Sequence, residues 1–229
     1  MPEFPVYIGW DPTEEEAWRV CAASLKEHSS VPLRIERIGE QEHGFDRLWH
    51  YEEKQRIDIV DGTPFSTGFS FARFLVPHIC KEPWALFLDC DFLVQGDVRD
   101  LIALADPKFA VMVVKHRHIP REALKMNGVE QTRYERKNWS SLVLWNLSHP
   151  STKFLTLQDV NSKPGWWLHG FRWLKDKEIG ELPMEWNYLV GYYPERPKAL
   201  HYTLGGPWFE SLKKGPFAQE WLEARKRLR

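Results

Sequence analysis

The chain has only three cysteines, Cys21, Cys80 and Cys90, and no two of them stand in metal-type Cys-x-x-Cys spacing. Three thiols cannot all pair with one another, so a disulfide-stapled secreted scaffold is excluded and a reduced, cytoplasmic setting is expected. No basic stretch followed by an apolar one opens the sequence, so no signal peptide is read there. No apolar run approaches the roughly 20 residues that cross a bilayer. Excess charge of either sign is missing too: 31 Lys+Arg stand against 32 Asp+Glu, a formal net charge of −1. General nucleic-acid binders are distinctly basic, so nucleic acid is not an expected partner. Internal repeats, low-complexity tracts and linker-like stretches are absent, and the 229 residues suit a single domain over 1–229.

Tryptophan is what the chain has in surplus. Twelve Trp join 7 Tyr and 13 Phe to make it 14% aromatic. Broad flat rings pack cores, and they also stack on sugars and nucleobases.

Residues 6–8 read as a short buried strand, and the residues after it as a helix. Thr13 with Glu16 three residues on has the form of a capping box. Ala17, Val20, Cys21 and Ser24 then share one face. Residues 33–38 alternate as a second strand, and 39–64 are polar and irregular up to the Asp61-Gly62-Thr63-Pro64 turn signal. Residues 65–80 have helical spacing, 84–88 form a wholly apolar strand, 98–105 a short helix, and 110–114 and 141–145 further strands. Residues 115–138 are basic and polar, 152–160 are helical in pattern, 165–170 form a Trp-rich loop, and 199–202 a last strand. Strands alternating with helices indicate an α/β chain on a mostly parallel sheet flanked by helices. A basic, weakly amphipathic helix is expected at about 213–229, either packed on the core or touching an anionic membrane surface from the cytoplasmic side.

The sharpest local feature is Leu88-Asp89-Cys90-Asp91 at the end of the apolar run. In an extended backbone i and i+2 point to the same side, so Asp89 and Asp91 can reach one ion. Hard cations such as Mg²⁺ and Mn²⁺ prefer oxygen and share their shell with substrate phosphates. In open α/β sheets, ligands bind beyond the carboxyl ends of strands, where this pair lies. Arg73 falls on the apolar stripe of its helix, where a cation must meet a carboxylate or a phosphate. His201 ends an apolar strand just before Gly205-Gly206, and glycines let backbone N–H groups approach a diphosphate closely.

These residues fall in ordered blocks: Asp11 after the first strand, 70–77 around Arg73, 88–97 around Asp89 and Asp91, 139–146, 182–187 and 201–208. Together they resemble glycosyltransferase family 8, and most nearly a branch of bacterial and phage glycosyltransferases related to it. The resemblance implies a GT-A (Rossmann-like) fold, a nucleotide-diphosphosugar donor such as a UDP-sugar, Mn²⁺ or Mg²⁺, and hexose transfer with retention of anomeric configuration. By position it makes Asp89, Asp91 and His201 the metal ligands. Ile8, Gly9, Trp10 and Asp11 would line the nucleoside pocket. Arg73, Cys90 and Ser140 would contact the donor, and Gly205 and Gly206 the diphosphate. His169 stands near a polar active-site residue of the family, and with Arg73 is the catalytic candidate. The expected acceptor is a glycan, a glycolipid or another hydroxyl compound, and oligomeric state is left open.

The chain also departs from the family. It has Trp139-Ser140-Ser141 where the family has Asn-Ser-Gly, and Leu168-His169-Gly170 where the family has Asp-Gln-Asp. The lysine that usually follows the histidine block is missing, with Lys213 and Lys214 the nearest substitutes. Two other readings share parts of this evidence: a nucleotide-sugar hydrolase or nucleotidyltransferase on the same fold, and a carbohydrate-binding module built on Trp faces such as Trp166, Trp167 and Trp208.

Overall fold

The structure is a computed structural model that describes residues 2–116, 135–192 and 196–228. Most of the basic segment, 117–134, lies outside the described residues. In chain order the first half contains β1 (Phe4–Gly9), α1 (Glu15–Glu27), β2 (Leu33–Ile38), β3 (Trp49–Glu52), β4 (Gln55–Asp58), β5 (Pro64–Phe65), α2 (Phe69–Ala72), α3 (Val76–Ile79), β6 (Trp84–Leu88), β7 (Phe92–Val94) and α4 (Val98–Ile102). There follow β8 (Val111–Val113), β9 (Leu142–Asn146), α5 (Leu157–Ser162), α6 (Gly165–His169), β10 (Ile179–Glu181), β11 (Tyr188–Leu189), β12 (Ala199–His201) and α7 (Ala218–Lys226).

Six strands form the central sheet in the order β10-β8-β9-β6-β1-β2. All run the same way except β9, which is antiparallel to both its neighbours. The expected α/β architecture with a mostly parallel sheet is therefore present. The inner strands are buried on both faces, which is why they read as unbroken apolar runs such as Ala85-Leu86-Phe87-Leu88. A smaller sheet, β11-β12-β7, stands beside the main one. Its core of Leu93, Tyr188, Leu200 and Tyr202 is closed by Val20 of α1 and by Trp221 and Ala224 of α7. The C-terminal helix is shorter than expected, and Arg225 and Arg227 ion-pair with Glu16 and Glu27.

The structure differs from the sequence reading at several points. Residues 39–64 are not irregular throughout: β3 and β4 form a hairpin with Trp49 opposite Asp58, extended by β5. β3 alternates as Trp49-His50-Tyr51-Glu52 but β4 does not, and the pairing puts Asp58 and Arg56 on the face of Trp49 and Tyr51, so neither face of the hairpin is purely apolar. The segment 65–80 divides at Gly68 and Arg73 into a strand end, two short helices and a tight turn between them. The Trp-rich 165–170 segment is the helix α6 rather than a loop. Asp11 caps the 3-10 turn Pro12–Glu14 that leads into α1, its carboxylate accepting from Thr13 N (2.9 Å) and the Thr13 hydroxyl (2.6 Å), so Thr13 lies inside that turn and is not the cap.

Two buried charged groups hold the hairpin to the body. Arg47 ion-pairs with Asp58, donates from Nη1 to the carbonyls of Val160 and Lys163 (both 2.9 Å), and lies 3.7 Å over the Phe71 ring. Asp11, fully buried, accepts from Arg56 of β4 (2.7 Å) and from Gly68 N (2.8 Å) as well as from Thr13. Burial pushes the Asp11 carboxyl up, but the hydrogen bonds from Thr13, Gly68 and Arg56 outweigh it and hold it below the usual carboxylate range.

Removing one member of a buried pair strands the other, so Arg47→Met or Asp58→Leu alone should cost about 3–5 kcal/mol in denaturant unfolding. The double variant Arg47→Met/Asp58→Leu should lose clearly less than the sum of the two. For Asp11, a lowered folded pKa means stability that is fully present above the unfolded value of about 4 and lost as pH falls through the folded one. The difference in Tm between the wild type and Asp11→Asn should therefore be widest near neutrality and shrink below about pH 4.

Candidate active site

At Leu88 the chain leaves the central sheet, turns through Asp89-Cys90-Asp91, and enters the smaller sheet as β7. Asp89 N bonds the Ser141 carbonyl (2.9 Å), which pins the turn to the start of β9. β7 then pairs antiparallel with β12, with Phe92 opposite His201, and Tyr202 N bonds the Asp91 carbonyl at 3.0 Å. The Phe92 ring stacks on the His201 imidazole, centroids 4.4 Å apart. This register sets His201 beside Asp91, with Nε2 3.3 Å from Asp91 Oδ1. One ligand atom from each of Asp89, Asp91 and His201 lies within 4.8 Å of the other two. Between the two aspartates, Cys90 faces the other way, buried, with its thiol donating to Glu14 Oε2 at 3.0 Å. Cys90 and Asp91 lie in a turn rather than in the extended backbone the spacing suggested, and it is this turn that brings both aspartates to the cleft.

Two carboxylates and one imidazole, convergent and half or wholly buried, fit a small divalent cation. The neighbouring charges fit it as well. Arg73 is buried and ion-pairs with Asp89 at 2.8 Å, donates to the Ser140 carbonyl (2.9 Å), and holds its own turn through the Ser70 carbonyl (3.0 Å). Glu14 packs behind the aspartates. Burial first, and then the charge of Asp91, push its carboxyl up to about 8, so it adds little negative charge at neutral pH.

These groups open into a cleft of about 260 Å³. Asp89, Asp91, His201, Arg73, Ser140 and His169 all line it. Ser140 Oγ lies 2.8 Å from His169 Nδ1, and the His169 ring packs edge-on against Phe74. The remaining sequence candidates are placed elsewhere. Ile8 is interior to β1, Trp10 is held by Glu15 and covered by Arg37, Asp11 is the buried anchor described above, and Cys90 faces Glu14. Gly9 packs against Phe69, where a Cβ would meet the ring at 2.4 Å. Gly205 has a left-handed φ of +99°, and a Cβ on Gly206 would come within 2.0 Å of the Trp208 ring. Neither glycine lines the cleft, although Thr203 from the same block does.

Among the tryptophans, Trp166 lines the cleft and is 53% exposed. Trp167 packs on Trp173, Trp208 on Trp221, and Trp139 lies under Lys115 and Arg136. The sequence reading gave no site role to Glu14, or to Lys137 and Asn138, buried residues on the cleft wall. Lys213 and Lys214, by contrast, do not line the cleft. It also missed Asn187, fully buried behind His201; a polar residue in an apolar stretch was the available signal.

No protein-family model matches the chain. Protein CDI of Arabidopsis thaliana is 43% identical over 227 residues, spanning 96% of this chain and 85% of that protein. Among solved structures, the apo bifunctional glycosyltransferase WbbM superposes with a TM-score of 0.66 at 16% identity, over 98% of this chain and 50% of that one. The glycosyltransferase GlyE of Streptococcus pneumoniae TIGR4 gives a TM-score of 0.62 at 17% identity, over 98% of this chain and 60% of that one. The galactosyltransferase LgtC, solved with donor and acceptor sugar analogs, gives a TM-score of 0.64 at 13% identity, over 97% and 95%. The chain thus spans half of WbbM but nearly all of LgtC. At these identities the likeness is one of fold, and the fold is that of the GT-A glycosyltransferases. The sequence relative comes from a plant, whereas the motif blocks resemble a bacterial and phage branch. At 43% identity over almost its whole length, the chain belongs to the family of Protein CDI of Arabidopsis thaliana.

Proposed function

We propose that the protein is a divalent-metal-dependent glycosyltransferase that moves a hexose from a nucleotide-diphosphosugar, a UDP-sugar, to a hydroxyl acceptor with retention. The observation that carries this reading is the convergence of Asp89, Asp91 and His201 beside Arg73 in one cleft. Asp89, Asp91 and His201 would hold the cation, Mn²⁺ or Mg²⁺, which when bound supplies Lewis-acid charge against the departing diphosphate. Arg73 adds fixed positive charge at the same place, held by Asp89 and two backbone carbonyls, so it needs no reorganisation as charge develops. His169, set by Ser140 and Phe74, is assigned to orienting the transferred sugar or the incoming hydroxyl. Trp166, half exposed on the wall, offers a flat face to the acceptor sugar.

Retention requires either a nucleophilic carboxylate or attack from the leaving-group side. Among the described residues, the acidic residues that line the cleft besides the proposed ligands are Glu14 and Asp61. Asp61 accepts from Thr63 at one oxygen and from Gly165 N, at the start of α6, at the other, so both its oxygens are engaged. Glu14 is buried behind the aspartates, its carboxyl pushed up to about 8 chiefly by burial and one oxygen held by the Cys90 thiol. This favours front-face displacement: the acceptor oxygen bonds the anomeric carbon as the bond to the diphosphate breaks, and the acceptor proton passes to a diphosphate oxygen. Three buried free thiols support placement in the cytoplasm.

A thermal-shift panel of UDP-hexoses with and without Mn²⁺ tests this reading. Linked binding at about 100 times Kd is worth about 2.7 kcal/mol, or roughly 5–10 °C for a domain of this size. The shift should require both components and should vanish in Asp91→Ala. No shift with any donor would overturn the proposal. Metal-dependent UDP release that no acceptor accelerates would point instead to a hydrolase. Sugar binding that persists in Asp91→Ala without metal would point to a carbohydrate-binding module.

A further inference from the structure

Asn187 closes the tight turn Met184–Asn187 that leads into β11, and it is completely buried. β11 pairs in parallel with β12, Leu189 opposite His201, so the turn is carried against the back of the proposed metal ligand. Asn187 Oδ1 lies 2.9 Å from His201 Nδ1. On its other side, Asn187 Nδ2 donates to Ser141 Oγ at 2.8 Å and to the Asn138 carbonyl at 3.3 Å.

The network itself decides which way the amide points. The Ser141 hydroxyl donates to the Asn138 carbonyl at 2.7 Å, so toward Asn187 its oxygen can only accept. The Asn138 carbonyl is likewise an acceptor only. Asn187 must therefore turn its NH₂ to Ser141 and Asn138 and its oxygen to His201. An amide oxygen cannot donate, so the proton of the His201–Asn187 bond sits on Nδ1. The lone pair of the neutral ring is then on Nε2, the nitrogen that faces Asp91 Oδ1 at 3.3 Å. Two acceptors face each other there, an arrangement that a cation between them relieves.

We propose that Asn187 is a positioning residue for the metal site: it holds His201 in the Nδ1–H tautomer and so presents the Nε2 lone pair to a divalent cation. This rests on the reading of Asp89, Asp91 and His201 as a metal site. Phe92 fixes the plane of the imidazole by stacking, and Asn187 fixes which nitrogen carries the proton. Outer-shell partners of this kind orient a ligand and typically account for a 10- to 100-fold difference in metal affinity.

Two measurements that need no turnover test it. In the metal-free wild type, ¹⁵N NMR of labelled histidine should show His201 as the Nδ1–H tautomer, a result that depends on no variant folding. Titration with Mn²⁺ alone, followed through the EPR signal of the free ion, should show affinity falling about 10- to 100-fold in Asn187→Leu. In Asn187→Asp, which keeps an acceptor for Nδ1 and lets the Ser141 hydroxyl turn toward it, affinity should return to within a few-fold of wild type. A merely space-filling role would instead favour leucine over a buried aspartate. If the wild type binds Mn²⁺ but holds the Nε2–H tautomer, or if Asn187→Leu binds Mn²⁺ as tightly as wild type, the inference is overturned while the metal site stands. If the wild type binds no Mn²⁺, the metal-site reading fails and takes this inference with it.

Discussion

The site depends on one strand pairing. β7 and β12 are far apart in sequence, and their antiparallel register sets Phe92 against His201 and brings the imidazole alongside Asp91. A slip of one residue would send every side chain of β12 to the opposite face and take His201 out of reach of the aspartates. The surrounding structure locks that register. Leu200 and Tyr202, flanking His201, are buried in the small core closed by α1 and α7, and the Tyr202 hydroxyl donates to the Phe217 carbonyl just before α7. The C-terminal helix thus helps hold the proposed ligand His201 in place from the far side of the sheet.

Electrostatics explains why so much acid is tolerated in one place. Asp89, Asp91 and Glu14 crowd a buried corner with two thiols, those of Cys21 and Cys90, beside them. Burial and the neighbouring carboxylates push both thiols well above their ordinary range, so they stay neutral. Glu14 is pushed up in the same way and shares a proton-bearing contact with Cys90. What remains is a pair of aspartates facing Arg73 and an imidazole, a balance that matches a small cation and an anionic leaving group.

The part of the site that local spacing controls was legible in the sequence. Asp89 and Asp91 stand two apart at the end of an apolar run, and Arg73 stands among apolar neighbours; these patterns flagged the residues, although the structure places the aspartates in a turn and Arg73 at a break between two short helices. The hairpin of β3 and β4 was not legible, because its faces mix polar and apolar residues and its positive-φ turn residue is Glu53 rather than an Asn-Gly pair. Asp11 looked like a ligand-facing residue after a strand, but Arg56 and Gly68 converge on it from segments that no local pattern connects to it. Asn187 stood within the 182–187 block, but its contact with His201 exists only once β11 lies against β12. The tryptophans misled in the other direction, since of those singled out for a ligand, Trp166 alone lines the cleft while Trp167 and Trp208 pack on other indoles.

The reversed direction of β9 concentrates responsibility. Because it runs against its neighbours, the chain enters it at the edge where they leave, and residues 138–141 arrive at the cleft as an incoming connection. The Ser140 carbonyl then meets Arg73, the Ser140 hydroxyl meets His169, the Ser141 carbonyl meets the backbone of Asp89, and the Ser141 hydroxyl and Asn138 carbonyl meet Asn187. A change in this short stretch is pleiotropic: it moves the guanidinium, the cleft histidine and the orienting amide together. Evolution can therefore vary the walls of the cleft piece by piece, but can alter this corner only as a unit.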